Sequence, residues 1–130
     1  MPKMKAPRPT DAELEILNVL WRRGPATVRE VQAELRKSKP AMGYTTVLKL
    51  MQIMAEKNLV RRDERQRAHV YEARLAEEQT QAQLVGDLLE RAFKGSAKKL
   101  VLQALSSKKA SAEELAEIRQ LLDDFERGGR

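Results

Sequence analysis

A mainly α fold is predicted: three helices closed by a two- or three-stranded wing, followed by a segment made only of helices. Three observations carry it. Apolar residues recur at helical spacing in three successive segments, with start signals at their heads and breakers at their ends. The run Gly43–Ala73, GYTTVLKLMQIMAEKNLVRRDERQRAHVYEA, joins a two-faced helix to two strand patterns around an arginine-rich turn. After Arg74 strand patterns cease and only helical spacing remains. A helix able to lie in a groove beside a basic hairpin is the layout of a winged helix-turn-helix.

Residues 1–9 hold three prolines and three basic residues and are expected to form a flexible basic arm. Thr10 and Glu13 have the spacing of a capping box, Thr at N-cap and Glu at N3, so a helix starts there. Leu14, Leu17, Leu20 and Trp21 share one face, and Gly24-Pro25 ends the helix. Thr27 and Glu30 repeat the box and open a second helix that buries Val28, Val31 and Leu35. The turn is Ser38–Gly43. A third helix runs from about Tyr44 to Lys57, with Val47, Leu50, Met51 and Met54 inward. A rotation of ~100° per residue then places Thr45, Lys49, Gln52, Ile53 and Glu56 outward, with Thr46 on the flank. Asn58 closes it. Leu59–Arg62 and Ala68–Ala73 are two short strands around Asp63–Arg67, and pattern alone leaves the inward parity of the second strand open. A winged-helix domain over residues 10–74 follows from these elements.

Residues 75–130 read as a helical dimerisation domain. A long helix over Ala76–Phe93 has Leu84, Val85, Leu88, Leu89 and Ala92 as its stripe and stops at Gly95. A shorter helix follows over about Ala97–Leu105 and contains Leu100. Ser111 and Glu114 form a third capping-box pattern, opening a helix with Leu115, Ile118, Leu122 and Phe125 in a 3-4-3 seam. Helices this few and this short seldom bury enough apolar surface alone. Pairing with a second copy answers that, with Leu84, Leu88, Leu100, Leu115, Ile118, Leu122 and Phe125 as the contact residues.

Charge divides along the same line. The formal net charge is +6, but residues 1–74 hold 16 Lys+Arg against 9 Asp+Glu, or +7, while residues 75–130 hold 9 against 10, or −1. The basic excess sits where the winged-helix pattern sits, as expected when one half meets phosphates and the other does something else. With no cysteine, disulfides and thiolate metal sites are excluded, and the single histidine, His69, leaves no histidine cluster. No apolar run approaches the ~18–20 residues of a membrane span. The basic N-terminus lacks the apolar stretch of a signal peptide, so a soluble cytoplasmic protein is expected. Carboxylates are frequent, yet none pairs with a nucleophile or a Gly-rich phosphate loop: the chain does not read as an enzyme, and no cofactor or metal is expected.

The outward face of the third helix offers hydroxyls (Thr45, Thr46), an amide (Gln52) and a cation (Lys49). Gln can bond adenine in pairs, Thr can bond phosphate or pack on a thymine methyl, and Lys can reach guanine or phosphate. Arg61, Arg62, Arg65 and Arg67 lie on the short ribbon that follows, suited to phosphate and minor-groove contact, although Asp63 and Glu64 partly neutralise them. Tyr44 either reaches a phosphate through its hydroxyl or anchors the helix start. Trp21, Tyr71, Met51 and Met54 read as core, and His69 as a strand residue without ligand role. Double-stranded DNA is the partner these residues fit.

Five pieces occur in a specific order: Glu13-Leu14-Glu15-Ile16-Leu17 with Leu20-Trp21; Thr27-Val28-Arg29-Glu30-Val31; Tyr44-Thr45-Thr46-Val47; Lys57-Asn58-Leu59-Val60-Arg61-Arg62; and Phe93-Lys94-Gly95-Ser96 with Leu100-Val101-Leu102. Through them residues 10–127 resemble the BlaI/MecI penicillinase-repressor family of bacterial transcriptional regulators. The resemblance implies a homodimeric, sequence-specific repressor on inverted repeats in promoters, controlling a β-lactam-response or related operon. Its third helix, with Thr45, Thr46, Lys49 and Gln52, would enter the major groove, and Arg61, Arg62, Arg65 and Arg67 of the wing would touch the backbone. It also implies a membrane-bound sensor protease that cleaves the dimerisation domain. The chain departs from the family at three places. Gln52-Ile53 stands where members often carry a polar residue then Arg, which implies a different operator. Gln103-Ala104 occupies the cleavage point, where the family has Asn-Phe, which argues against induction at that bond. The cysteine cluster of the copper-sensing branch is missing. An alternative of another class is a winged-helix protein-interaction module with only non-specific DNA affinity. The two differ in salt response, since phosphate contacts make log affinity fall by about 0.9 per contact with log salt.

Overall fold

In the computed structural model, which describes residues 8–128, the element order is α1 (Asp11–Arg23), β1 (Ala26–Thr27), α2 (Val28–Leu35), α3 (Tyr44–Glu56), β2 (Val60–Asp63), β3 (Val70–Ala73), α4 (Glu77–Phe93), α5 (Ala97–Ser107) and α6 (Ala112–Glu126). Residues 1–7 of the expected arm lie outside the described residues; Pro9, at its end, is buried.

Two of the three expected capping boxes are formed at both partners. Glu13 N–H donates to Thr10 Oγ1 at 3.2 Å while Thr10 N–H donates to Glu13 Oε1 at 2.9 Å, and Glu30 and Thr27 repeat both distances. Each box satisfies donors that the first helical turn leaves without intrahelical partners. At Ser111 only the hydroxyl's part of the box is seen, accepting from Glu114 N–H at 3.0 Å. α3 ends at Asn58, whose φ of 65° is left-handed. That conformation lets Leu59 N–H reach back to Met54 O at 2.9 Å and close the last turn.

The three strands form one antiparallel sheet in the order β1-β3-β2. Ala26 faces Tyr71 across the first ladder, and Val60, Arg61, Arg62 and Asp63 face Ala73, Glu72, Tyr71 and Val70 across the second. The wing strands differ from expectation: β2 keeps four residues but is shifted by one, Val60–Asp63 rather than Leu59–Arg62, and β3 is shorter, beginning at Val70 rather than Ala68. For β3 the cause lies in the turn. The Asp63 carboxylate accepts the Arg65 N–H at 3.0 Å, bending the chain out of the ladder, and His69 therefore sits just outside the strand instead of within it. The open parity is decided by Tyr71, 1% exposed, so alternate residues of β3 from Tyr71 face the helices.

The core joins Ile16, Leu17, Val19 and Leu20 of α1 to Val28, Val31 and Leu35, to Val47, Met51 and Met54, and to Leu59, Val60 and Tyr71. Ile16 and Val19 fall outside the single stripe read from sequence. α1 packs against α2, α3 and β3 at once, so its buried arc is wider than one face. Leu14, Trp21 and Leu50 are partly buried against this cluster. The Trp21 indole Nε1–H donates to Leu75 O at 2.9 Å. A Trp21→Phe variant should lose about 1 kcal/mol in urea unfolding, since it removes one hydrogen bond and frees a half-buried carbonyl; an unchanged midpoint would show the bond to be dispensable.

The chain divides into two compact units between Val85 and Gly86, inside α4. The first holds the winged helix and the start of α4, with Thr80 buried. In the second, α4 ends at Lys94 and Gly95, both at positive φ. Among the described residues no side chain of α5 or α6 is buried.

Candidate nucleic-acid interface

α3 presents its outward face as its sequence spacing dictates. Thr45, Thr46, Lys49, Gln52 and Glu56 are exposed and Ile53 is half-buried, opposite the buried Val47, Met51 and Met54. Before Glu56 this helix holds no acidic residue. Its N-cap, Gly43, makes no side-chain capping bond, so the amides of the first turn stay available at the surface.

The helix is fixed at its far end by a contact that sequence spacing does not reveal. Lys57, the C-cap residue, donates to both carboxylate oxygens of Glu13 at 2.8 and 2.9 Å. The Glu13 side chain is 3% exposed, and that of Lys57 31%. Burial alone would raise the Glu13 carboxyl, but the Lys57 hydrogen bond, the Thr10 N–H and the ammonium charge together hold it below its ordinary value. One carboxylate therefore caps α1 and anchors α3.

The wing arginines do not act alike. Arg65 is clamped by Asp63, with Nε to Oδ1 at 3.0 Å and Nη2 to Oδ2 at 2.7 Å, and this pairing holds the Asp63 carboxyl down at about 2. Arg62 Nε donates to Glu64 Oε2 at 2.6 Å, and the Tyr71 hydroxyl and Glu64 raise its guanidinium further above the usual range. Arg67 has no carboxylate within ion-pairing distance among the described residues. Arg61 stands directly across from Glu72, and strand alternation sends it to the opposite sheet face from Arg62 and Tyr71. Arg62 and Arg67 are thus brought beside α3, whereas Arg61 is not, and Arg65 is committed to an intra-wing ion pair.

An open cleft of about 570 Å³ separates α3 from the wing. Tyr44, Leu48 and Gln52 line it from α3, Arg62, Arg67 and His69 from the wing, and Thr27 and Arg29 from the head of α2. Tyr44 is 41% exposed and carries the Arg29 guanidinium 5.2 Å from its ring centroid, so it serves as a surface platform rather than a buried anchor. Arg29 and His69 were not legible as site residues: fifteen or more positions separate them from Tyr44, and only tertiary packing makes them neighbours.

None of the dimerisation residues read from sequence is buried. Leu84, Leu100, Leu115 and Ile118 are half-buried, while Leu88, Leu122 and Phe125 are exposed. Val101, Leu102, Leu105 and Leu121 are exposed as well, which the seam did not mark. Gln103 and Ala104 are exposed within α5. Among the described residues no helix is long and apolar enough to cross a membrane, and no group of three or more His, Cys, Asp or Glu is placed to hold a metal.

Comparison with known proteins gives a consistent answer. The sequence pattern of the family described as Penicillinase repressor matches residues 9–124. The chain is 31% identical over 125 residues to the transcriptional regulator BlaI of Mycobacterium tuberculosis, covering 95% of this chain and 89% of that protein. It is 28% identical over 120 residues to the penicillinase repressor of Bacillus licheniformis, covering 92% and 93% respectively. Among solved structures, the DNA-binding domain of the repressor BlaI in solution matches with a TM-score of 0.50 and 27% identity, over 58% of this chain and 90% of that one.

Proposed function

Because the chain belongs to the penicillinase repressor family, and so is a DNA-binding transcriptional repressor and not an enzyme, we propose that it acts in the cytoplasm as a homodimer on inverted repeats in promoters. The observation that carries this reading is the outer face of α3, free of acid from Tyr44 to Ala55, set beside the wing arginines across an open cleft. Thr45, Thr46, Lys49 and Gln52 read base edges in the major groove, while Tyr44 and Arg67 hold the backbone, joined by Arg62 when it leaves Glu64. Arg61 and Arg65 contribute long-range charge, because one faces away and the other is paired.

The domain from residue 75 onward supplies the second copy. Its exposed Leu88, Leu122 and Phe125, with α5 and α6 lacking any buried side chain, leave apolar surface that a partner of the same kind would cover. A dyad then sets the two recognition helices about one helical turn, ~10 bp, apart or a multiple of it. The operon is one of β-lactam response or a related kind. A membrane-bound sensor protease belongs to the same proposal, but Gln103-Ala104, in place of the family's Asn-Phe and within helical α5, argues against cleavage at that bond.

Fluorescence anisotropy with DNA from upstream of the chain's own gene, at two salt concentrations and with scrambled competitor, tests the reading. Thr46→Ala and Gln52→Ala should each relax discrimination at particular base pairs by about 1–3 kcal/mol, whereas Arg67→Ala should weaken binding to all duplexes alike. If scrambled DNA competes equally and salt has little effect, the chain is a protein-interaction module with a basic surface.

A further inference from the structure

We infer that Arg29, at the head of α2, seats a DNA backbone phosphate in the cleft between α3 and the wing. This inference rests on the DNA-binding reading above and adds to it a contact from outside both the recognition helix and the wing.

Three observations support the assignment. Arg29 is exposed yet held, its guanidinium stacked 5.2 Å from the Tyr44 ring centroid, which limits the freedom of a long side chain before any ligand arrives. It has no carboxylate partner among the described residues, while two arginines of α1 do: Arg22 pairs with Glu34 at 3.6 Å and Arg23 with Glu30 at 3.6 Å. The cleft it lines also holds Arg62 and Arg67, and no acidic residue lines it. Arg29 and Arg67 are two guanidiniums without a carboxylate partner at this opening, Arg62 being held by Glu64, and their forked donors match phosphate oxygens.

The cleft's place identifies the anion's source. Gln52, on the base-reading face of α3, lines the same opening, so a phosphate seated there would flank the base pair that Gln52 touches. The cleft opens to the surface, as access for a backbone phosphate requires. The ligand is therefore a phosphodiester of the duplex and not a free phosphate.

The test uses the full chain with three variants and a duplex carrying neutral methylphosphonates one position at a time. Arg29→Ala should weaken binding to specific and random duplexes alike by about tenfold and lower the salt slope by about one. Arg29→Lys, which keeps the charge, should restore most of the slope. In the parent, one methylphosphonate position should weaken binding, and in Arg29→Ala that same position should become silent. Arg67→Ala is the control. If it weakens binding while Arg29→Ala keeps the parental slope and every methylphosphonate effect, Arg29 is no phosphate contact and the DNA reading stands. If the parent itself shows no salt-steep binding, both fall together. If inorganic phosphate, matched in ionic strength by chloride, binds the parent but not Arg29→Ala while both bind DNA alike, the seat takes free phosphate and the inference is overturned.

Discussion

Glu13→Ala should destabilise the protein by about 3 kcal/mol, although it lies outside the hydrophobic cluster and far from any proposed DNA contact. The substitution removes one half of the capping box and leaves the Lys57 ammonium without its carboxylate at a buried position. Lys57 is about one-third exposed and can recover part of its hydration, which keeps the cost at the lower end for a buried pair. Glu13→Gln separates the contributions, since its amide oxygen can still accept from Thr10 N–H while the charge is gone. The pH dependence has a definite sign. The folded-state Glu13 value lies below the ordinary glutamate value of 4.5. Its contribution is therefore complete above that value and is lost as pH falls through the depressed folded one. Denaturant titrations of the parent and both variants between neutral and acidic pH check this. A loss under 1 kcal/mol for Glu13→Ala, or a Glu13→Gln curve parallel to the parent's across the acid range, would remove the ion pair from the account of how α3 is held.

The second large effect is expected from Leu122→Asp combined with Phe125→Asp. These side chains are 58% and 61% exposed, so charging them costs the monomer little. In the proposed homodimer they meet a copy of themselves, and like charges there would separate the chains. Analytical ultracentrifugation should show a monomer at concentrations where the parent is dimeric. Affinity for a full inverted repeat should fall by about 10²-fold or more, because the second half-site is no longer engaged intramolecularly, while half-site affinity stays near the parental value. A variant that still sediments as a dimer would move the interface elsewhere, to the exposed Val101 and Leu102 of α5 for instance.

Much of the architecture follows from local chemistry. The capping boxes at Thr10 and Thr27 and the breakers at Gly24 and Asn58 act within a turn of chain, so they are visible without a fold. The spacing of Val47, Met51 and Met54 likewise fixes the outward face of α3, and with it Thr45, Thr46, Lys49 and Gln52. Less legible were the limits of the wing strands, because a side-chain bond from Asp63 to the Arg65 N–H competes with the ladder.

Sequence alone therefore determined which helix is two-faced, where the basic excess lies and which family pattern the chain carries. Tertiary structure decided which charges are free. The four wing arginines are alike as letters, but the ladder register turns Arg61 away, two carboxylates occupy Arg62 and Arg65, and Arg67 is left facing the cleft. It also brought Arg29 onto Tyr44 and Glu13 onto Lys57. The reason is physical: periodicity and capping are set by the backbone over a few residues, whereas an ion pair depends on three-dimensional distance, which the packing of α1, α2 and α3 supplies.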